Sequence, residues 1–154
     1  HRAGLTMPAA RFSDIGDRLT KALIDGDFAL YRAVMDLPLR IVPRDDVGYV
    51  LETEAVLRED FDLYHAMIAS QGVTDIFRQV LYVEDLAADR QRMVCLTHIL
   101  ARAHRLVDPF ETRMTLVLRG DGWRISEIES SEGHIKWTLG RAAIGPGGKF
   151  EPKP

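Results

Sequence analysis

A chain of 154 residues, 46% hydrophobic and 28% charged, has the size and composition of one globular domain. A chain of this length buries roughly 70% of its extended surface and holds a core without staples. The net charge of −3 and the lack of Lys/Arg runs exclude an electrostatic nucleic-acid or membrane-surface binder, and no apolar stretch approaches the roughly 20 residues of a membrane span.

The start, His1 to Thr6, lacks the apolar core of a signal peptide, and Met7 reads as a natural start with residues 1–6 an artificial leader. Residues 1–11 are expected to be an extension, 12–140 the domain, and 141–154 a Gly/Pro-rich tail. Ser13, followed by Ile15, Leu19, Ala22 and Leu23, predicts a capped amphipathic helix ended by Gly26. Asp27 caps a shorter helix carrying Phe28, Leu30, Tyr31, Val34 and Met35. Pro38 and Pro43 forbid further helix, and 39–42 with 49–51 reads as a small hairpin. A third helix is expected from about Thr53 to Gln71, with Leu57, Phe61, Tyr64 and Ile68 on one face and Gly72 as its C-terminal cap.

After Gly72 the chain alternates as strand over 74–84, 91–106, 110–119 and 123–130, with turns at 85–89, Asp108-Pro109 and Gly120-Asp121-Gly122. Phe110, Thr112, Met114, Leu116 and Leu118 share the face expected to meet the helices; Glu111, Arg113, Thr115 and Arg119 face away. Helices followed by antiparallel strands give an α+β fold. The lone cysteine, Cys95, excludes an intrachain disulfide, fits a reducing cytoplasm, and in mid-strand reads as a buried inert thiol.

Asp25-Gly26-Asp27-Phe28 between two short helices, together with Val107-Asp108-Pro109-Phe110, Gly120-Asp121-Gly122, Trp123-Arg124-Ile125 and Glu127-Ile128-Glu129-Ser130-Ser131, resembles the NTF2-like (SnoaL-like, cystatin-like α+β) superfamily over about residues 12–137. The resemblance implies three N-terminal helices packed on a strongly curved, mostly antiparallel sheet, with a ligand pocket between them. It implies no single reaction, because such folds include isomerases, dehydratases, cyclases and binding proteins. Where hydratase-like members carry His, two apolar residues, Thr or Ser, and Asn, this chain has Gln71-Gly72-Val73-Thr74-Asp75. Glutamine cannot be the general acid or base that histidine would be.

Three titratable residues are candidates for acid–base chemistry. Asp75 begins a strand; a pocket there would raise its pKa, and a cap paired with Arg78 is the simpler alternative. Glu129, with Glu127, falls by alternation on the face of Trp123 and Ile125 and could look into the pocket, or it could sit on a solvated edge paired with Arg113. His98 shares a strand face with His104, but six residues of strand separate them by about 20 Å, so no shared metal is expected. Tyr31, Phe61, Tyr64, Met114, Leu116 and Trp123, with Phe28, are expected to wall the pocket. The expectation is thus a small-molecule-binding protein taking an apolar or aromatic ligand, with no cofactor, forming a homodimer through the sheet face away from the helices. A cofactor-independent isomerase or hydrolyase is the alternative, and a protein-interaction subunit the third. Phe150 is expected to anchor the tail in an apolar groove, on the domain or across a partner subunit.

Overall fold

The chain forms three helices, two before the first strand and one between the second and third strands. α1 runs Arg2–Asp25, α2 Phe28–Val34 and α3 Glu54–Ser70. The structure, a computed structural model, describes residues 2–43, 48–120, 122–130, 142–144 and 150–152, with side chains described for 13–43, 48–120 and 122–130. α1 therefore begins well before Ser13, which lies inside the helix. Ala9, Ala10 and Arg11 are strong helix formers, and they carry the helix past the residue expected to start it.

The helix ends follow local chemistry closely. Asp27 Oδ1 accepts from Leu30 N at 3.1 Å and Thr53 Oγ1 from Val56 N at 3.2 Å, so each side chain satisfies an orphan donor of the first turn. α1 and α3 both end on a glycine with positive φ, Gly26 at 72° and Gly72 at 68°. After α3, Val73 N donates to Ile68 O and Gly72 N to Ala69 O, the bond pair of a Schellman cap, with Val73 and Ile68 both buried.

The strands are β1 (Met35–Pro43), β2 (Tyr49–Leu51), β3 (Asp75–Ala87), β4 (Arg90–Ala101), β5 (His104–Arg105), β6 (Phe110–Arg119) and β7 (Gly122–Ser130). They form one seven-stranded sheet in the order β2-β1-β7-β6-β4-β3, with β5 paired to β4. Every pairing is antiparallel except β1 with β7. The long hairpins place consecutive strands side by side, and the parallel pair joins the first strand of the chain to the last of the sheet. Ala142–Ile144 (β8) and Phe150–Pro152 (β9) form a separate antiparallel pair, with β9 against α3. The side chain of Phe150, and with it the expected anchoring of the tail, lies outside the described residues.

Two expectations about the strands change. The stretch read as one strand over 91–106 breaks at Arg102, where φ is 59°, and Ala101 pairs with His104 across the tight turn. His104 consequently lies on a strand folded back from that of His98. Leu118 keeps the register of Leu116, opposite Trp123, but is not covered: it is 43% exposed at the hairpin end, whereas Phe110, Thr112, Met114 and Leu116 are buried as expected.

The core joins Ile15, Leu19, Leu23, Leu57, Phe61 and Ile68 of the helices to Met35, Leu39, Ile76, Met93, Ile99, Leu116 and Ile125 of the sheet. Of the register shifts that interrupt the strands, two bear on the site. Leu81 is the extra residue of β3 between the pairs Val80↔Cys95 and Tyr82↔Val94, and Ser126 is the extra residue of β7 between Leu116↔Ile125 and Thr115↔Glu127. Each bends its strand and reverses the in/out parity of the residues on its C-terminal side.

Candidate functional site

Between helices and sheet lies a cavity of about 70 Å³. α1 contributes Leu19 and Leu23, α2 Tyr31, and α3 Asp60 and Tyr64; the sheet contributes Ile41, Ile76, Arg78, Thr97, Ile99, Phe110, Thr112, Met114, Ile128 and Ser130, among others. The walls are mainly aliphatic, and the polar groups come from few positions.

Two neighbouring strands supply hydroxyls. Inward residues of β4 alternate as Met93, Cys95, Thr97 and Ile99, and those of β6 as Phe110, Thr112 and Met114. Thr97 Oγ1 donates to Thr112 Oγ1 at 2.9 Å, so two buried hydroxyls satisfy each other. Cys95 Sγ lies 3.8 Å from Thr97 Oγ1, and burial pushes the thiol pKa up, leaving it protonated and inert. Burial also pushes the Tyr31 phenol well above its ordinary value, with the Asp60 charge adding to the effect. Tyr31 is thus a neutral donor or acceptor near a buried carboxylate.

Arg78 is the other charged residue of the wall. It stands on β3 between the inward Ile76 and Val80, opposite Thr97. Its Nη1 donates to Gly16 O at 3.1 Å and to Thr20 Oγ1 at 2.6 Å, while Thr20 Oγ1 donates to Ile76 O at 3.1 Å. α1 therefore holds the guanidinium in place. Desolvation lowers its pKa, opposed by Cys95 and Tyr64 and then by the charges of Asp17 and Asp75, yet among the described residues no carboxylate comes within ion-pair distance. Arg78 also lines a second, polar groove of about 340 Å³ between α1 and β3, with Asp17, Lys21, Asp75 and Phe77.

Of the expected pocket residues, Tyr31, Tyr64 and Met114 line the cavity. Phe61 and Leu116 are fully buried behind it, and Trp123 packs half-buried against the core; none of the three is in the lining. The acid–base candidates fall elsewhere. Asp75 is exposed in the groove, its Oδ1 accepting from Ile76 N at 2.9 Å in place of the expected pairing with Arg78. His98 lies opposite Phe77 on the outer face, the rings 5.6 Å apart. Glu127 and Glu129 are turned outward because Ser126 bulges: Ile125 points in, and after the extra residue Ile128 and Ser130 do. Glu127 meets Arg40 at 3.7 Å, and Glu129 pairs in register with Arg113.

The cavity residues that the sequence reading passed over were legible in part. Arg78 sits in the inward register of an alternating strand, and Asp60 lies three residues after Leu57 and four before Tyr64 on the apolar helix face. Among the described residues no group of three or more His, Cys, Asp or Glu is placed to hold a metal, and no helix is long and apolar enough to cross a membrane.

No protein-family model matches the chain, and no curated protein matches it. Solved structures do. A cystatin-like-fold domain of unknown function from Nostoc punctiforme is similar at TM-score 0.61 and 9% identity, over 80% of this chain and 76% of that one. A candidate dehydratase of the NTF2-like family from Streptomyces avermitilis is similar at TM-score 0.59 and 12% identity, over 81% and 95%. A candidate ketosteroid isomerase from Shewanella frigidimarina is similar at TM-score 0.57 and 17% identity, over 77% and 92%. Identities this low speak to architecture and leave function open. With three helices, a seven-stranded mostly antiparallel sheet and these neighbours, the chain has the NTF2-like, cystatin-like α+β fold.

Proposed function

We propose that the domain binds a small, mainly apolar molecule in the cavity between its helices and sheet. The observation that carries this reading is the lining itself, aliphatic walls with a few convergent hydroxyls and one guanidinium, the usual composition of a ligand site. The space of about 70 Å³ is well below the several hundred Å³ of drug-sized pockets, so the occupant is small or enters with side-chain movement. Titrating the full chain with 1-hexanol, followed by amide NMR, should perturb Thr97, Thr112 and Met114. Met114→Phe, whose larger, rigid ring intrudes into the space, should weaken that binding by about tenfold at a stability cost of no more than about 1–3 kcal/mol. Perturbations confined to the outer sheet face would refute the cavity as the site.

A cofactor-independent isomerase or hydrolyase is the second reading. It is supported by a buried carboxylate, Asp60, lining the cavity with the Tyr31 phenol in its field. For Asp75, His98 or Glu129 to act as the acid or base, substrate would have to be met outside the cavity.

We also infer a homodimer through the outer sheet face. Phe77 and Tyr82 are 53% and 48% exposed there, Phe77 beside His98 and Tyr82 across β4 from Arg113, which is ion-paired with Glu111. With Leu81, also 47% exposed, they put three large apolar side chains of β3 in solvent, the kind of surface that marks an interaction site when it is continuous. A protein-interaction role would use the same patch with a different partner. Phe77→Glu should shift the sedimentation-equilibrium mass toward the monomer by placing a charge in the contact, and an unchanged dimer would remove this face from the assembly.

A further inference from the structure

We propose that the ligand of the cavity is a small apolar carboxylate, its aliphatic part against Leu19, Leu23 and Met114 and its carboxylate on the guanidinium of Arg78. The inference rests on the reading that the cavity binds a small molecule. It adds the ligand's charge and the residue that recognises it.

Arginine carries five N–H donors in a planar fork. Both donors of Arg78 Nη1 are taken, by Gly16 O and Thr20 Oγ1, and among the described residues nothing accepts from Nε or Nη2. The edge formed by Nε and Nη2 is the one that grips a carboxylate through two parallel hydrogen bonds. α1 thus fixes one side of the guanidinium and leaves the bidentate side open.

Position selects the cavity over the outer groove. Arg78 lines both, but the groove also carries Asp17 and Asp75, whose negative charges disfavour an anion on that side, and its one further cation, Lys21, is already paired with Asp25. On the cavity side its neighbours are neutral hydroxyls and aliphatic carbons. Asp60, the other charged group of the cavity, makes no ion pair with Arg78 among the described residues. A desolvated cation without an ion-pair partner leaves a charge that a ligand carboxylate can neutralise, and a neutral ligand of the same shape cannot.

Three ligands of one chain length separate these possibilities: hexanoate, 1-hexanol and hexylammonium, titrated into the full chain at pH 7 and low salt. Hexanoate should bind at least tenfold more tightly than 1-hexanol, and hexylammonium more weakly than either. Arg78→Met should abolish the preference, so that hexanoate and 1-hexanol bind the variant with affinities within about twofold of each other. Arg78→Lys, which keeps the charge and loses the fork, should retain part of the preference. Should Arg78→Met fail to fold, the wild-type Arg78 Nε–H resonance decides, moving with hexanoate and not with 1-hexanol. Equal affinity of hexanoate and 1-hexanol, or a carboxylate preference that survives Arg78→Met, overturns the proposal and leaves the cavity as a neutral-ligand site. No binding by any of the three removes the cavity reading along with it.

Discussion

Phe61→Ala is expected to lower the unfolding free energy by about 4 kcal/mol, the range for truncating a buried aromatic. Phe61 is 1% exposed at the centre of an aromatic group, with ring centroids 4.6 Å from Tyr31, 5.5 Å from Phe28 and 6.2 Å from the stacked His65 ring. These partners come from α2 and from the next turn of α3, so the ring joins two helices above the sheet. Removing it deletes apolar burial and leaves a void whose lining is held from several directions, so collapse is limited. Phe61→Leu, which refills most of the volume, should cost less than half as much. The check is the midpoint of urea unfolding at unchanged slope. A loss below about 1 kcal/mol for Phe61→Ala is what a surface position gives, and it would mean the three rings do not pack as described.

Gly26→Ala is expected to cost about 3 kcal/mol, far more than adding a methyl group to an exposed turn. At φ 72° an L-residue with a Cβ is strained by about 1 kcal/mol. The added Cβ would also sit 2.7 Å from Nε2 of His65, closer than such atoms approach. The ring cannot swing aside freely. Its Nδ1 lies 2.6 Å from Leu23 O, and since a carbonyl only accepts, Nδ1 carries the hydrogen and holds the imidazole over the end of α1. Moving it sacrifices that bond, about 1 kcal/mol, and the stacking on Phe61. In a His65→Ala background the same change should cost only about 1 kcal/mol, the backbone strain alone. Equal costs in the two backgrounds would show that His65 does not press on Gly26.

The glycine was readable and the histidine was not. Asp25-Gly26-Asp27 announces a helix end because the need for positive φ and for a side-chain cap is local. The same holds for Thr53 ahead of α3 and Gly72 behind it. His65, by contrast, lies beside the apolar stripe of α3, and its partner is 42 residues away. Nothing in its own neighbourhood of sequence names that partner.

The same division runs through the site. Apolar alternation placed Met114 on the inner face, helical spacing placed Tyr31 and Tyr64 there, and all three line the cavity. Glu129 was misplaced by an argument sound for a regular strand: period two holds only while no residue is inserted, and Ser126 is inserted opposite the step from Thr115 to Leu116. Arg102 and Ala103 turn the chain with none of the glycine, asparagine or proline that marks a turn, since the pairing of Leu100 with Arg105 and of Ala101 with His104 makes up for the positive φ.

Helix ends, strand periods and the α+β order were determined by the sequence itself, because each depends on residues within one or two turns of one another. Which side chains meet at the cavity was decided only by the tertiary structure. Two bulges set the parity of β3 and β7 and turned Glu127 and Glu129 away, while α1, 58 to 62 residues upstream, supplied the carbonyl and hydroxyl that hold Arg78. An inward arginine is tolerable or costly according to what the rest of the chain brings to it, and that information resides in contacts between distant segments.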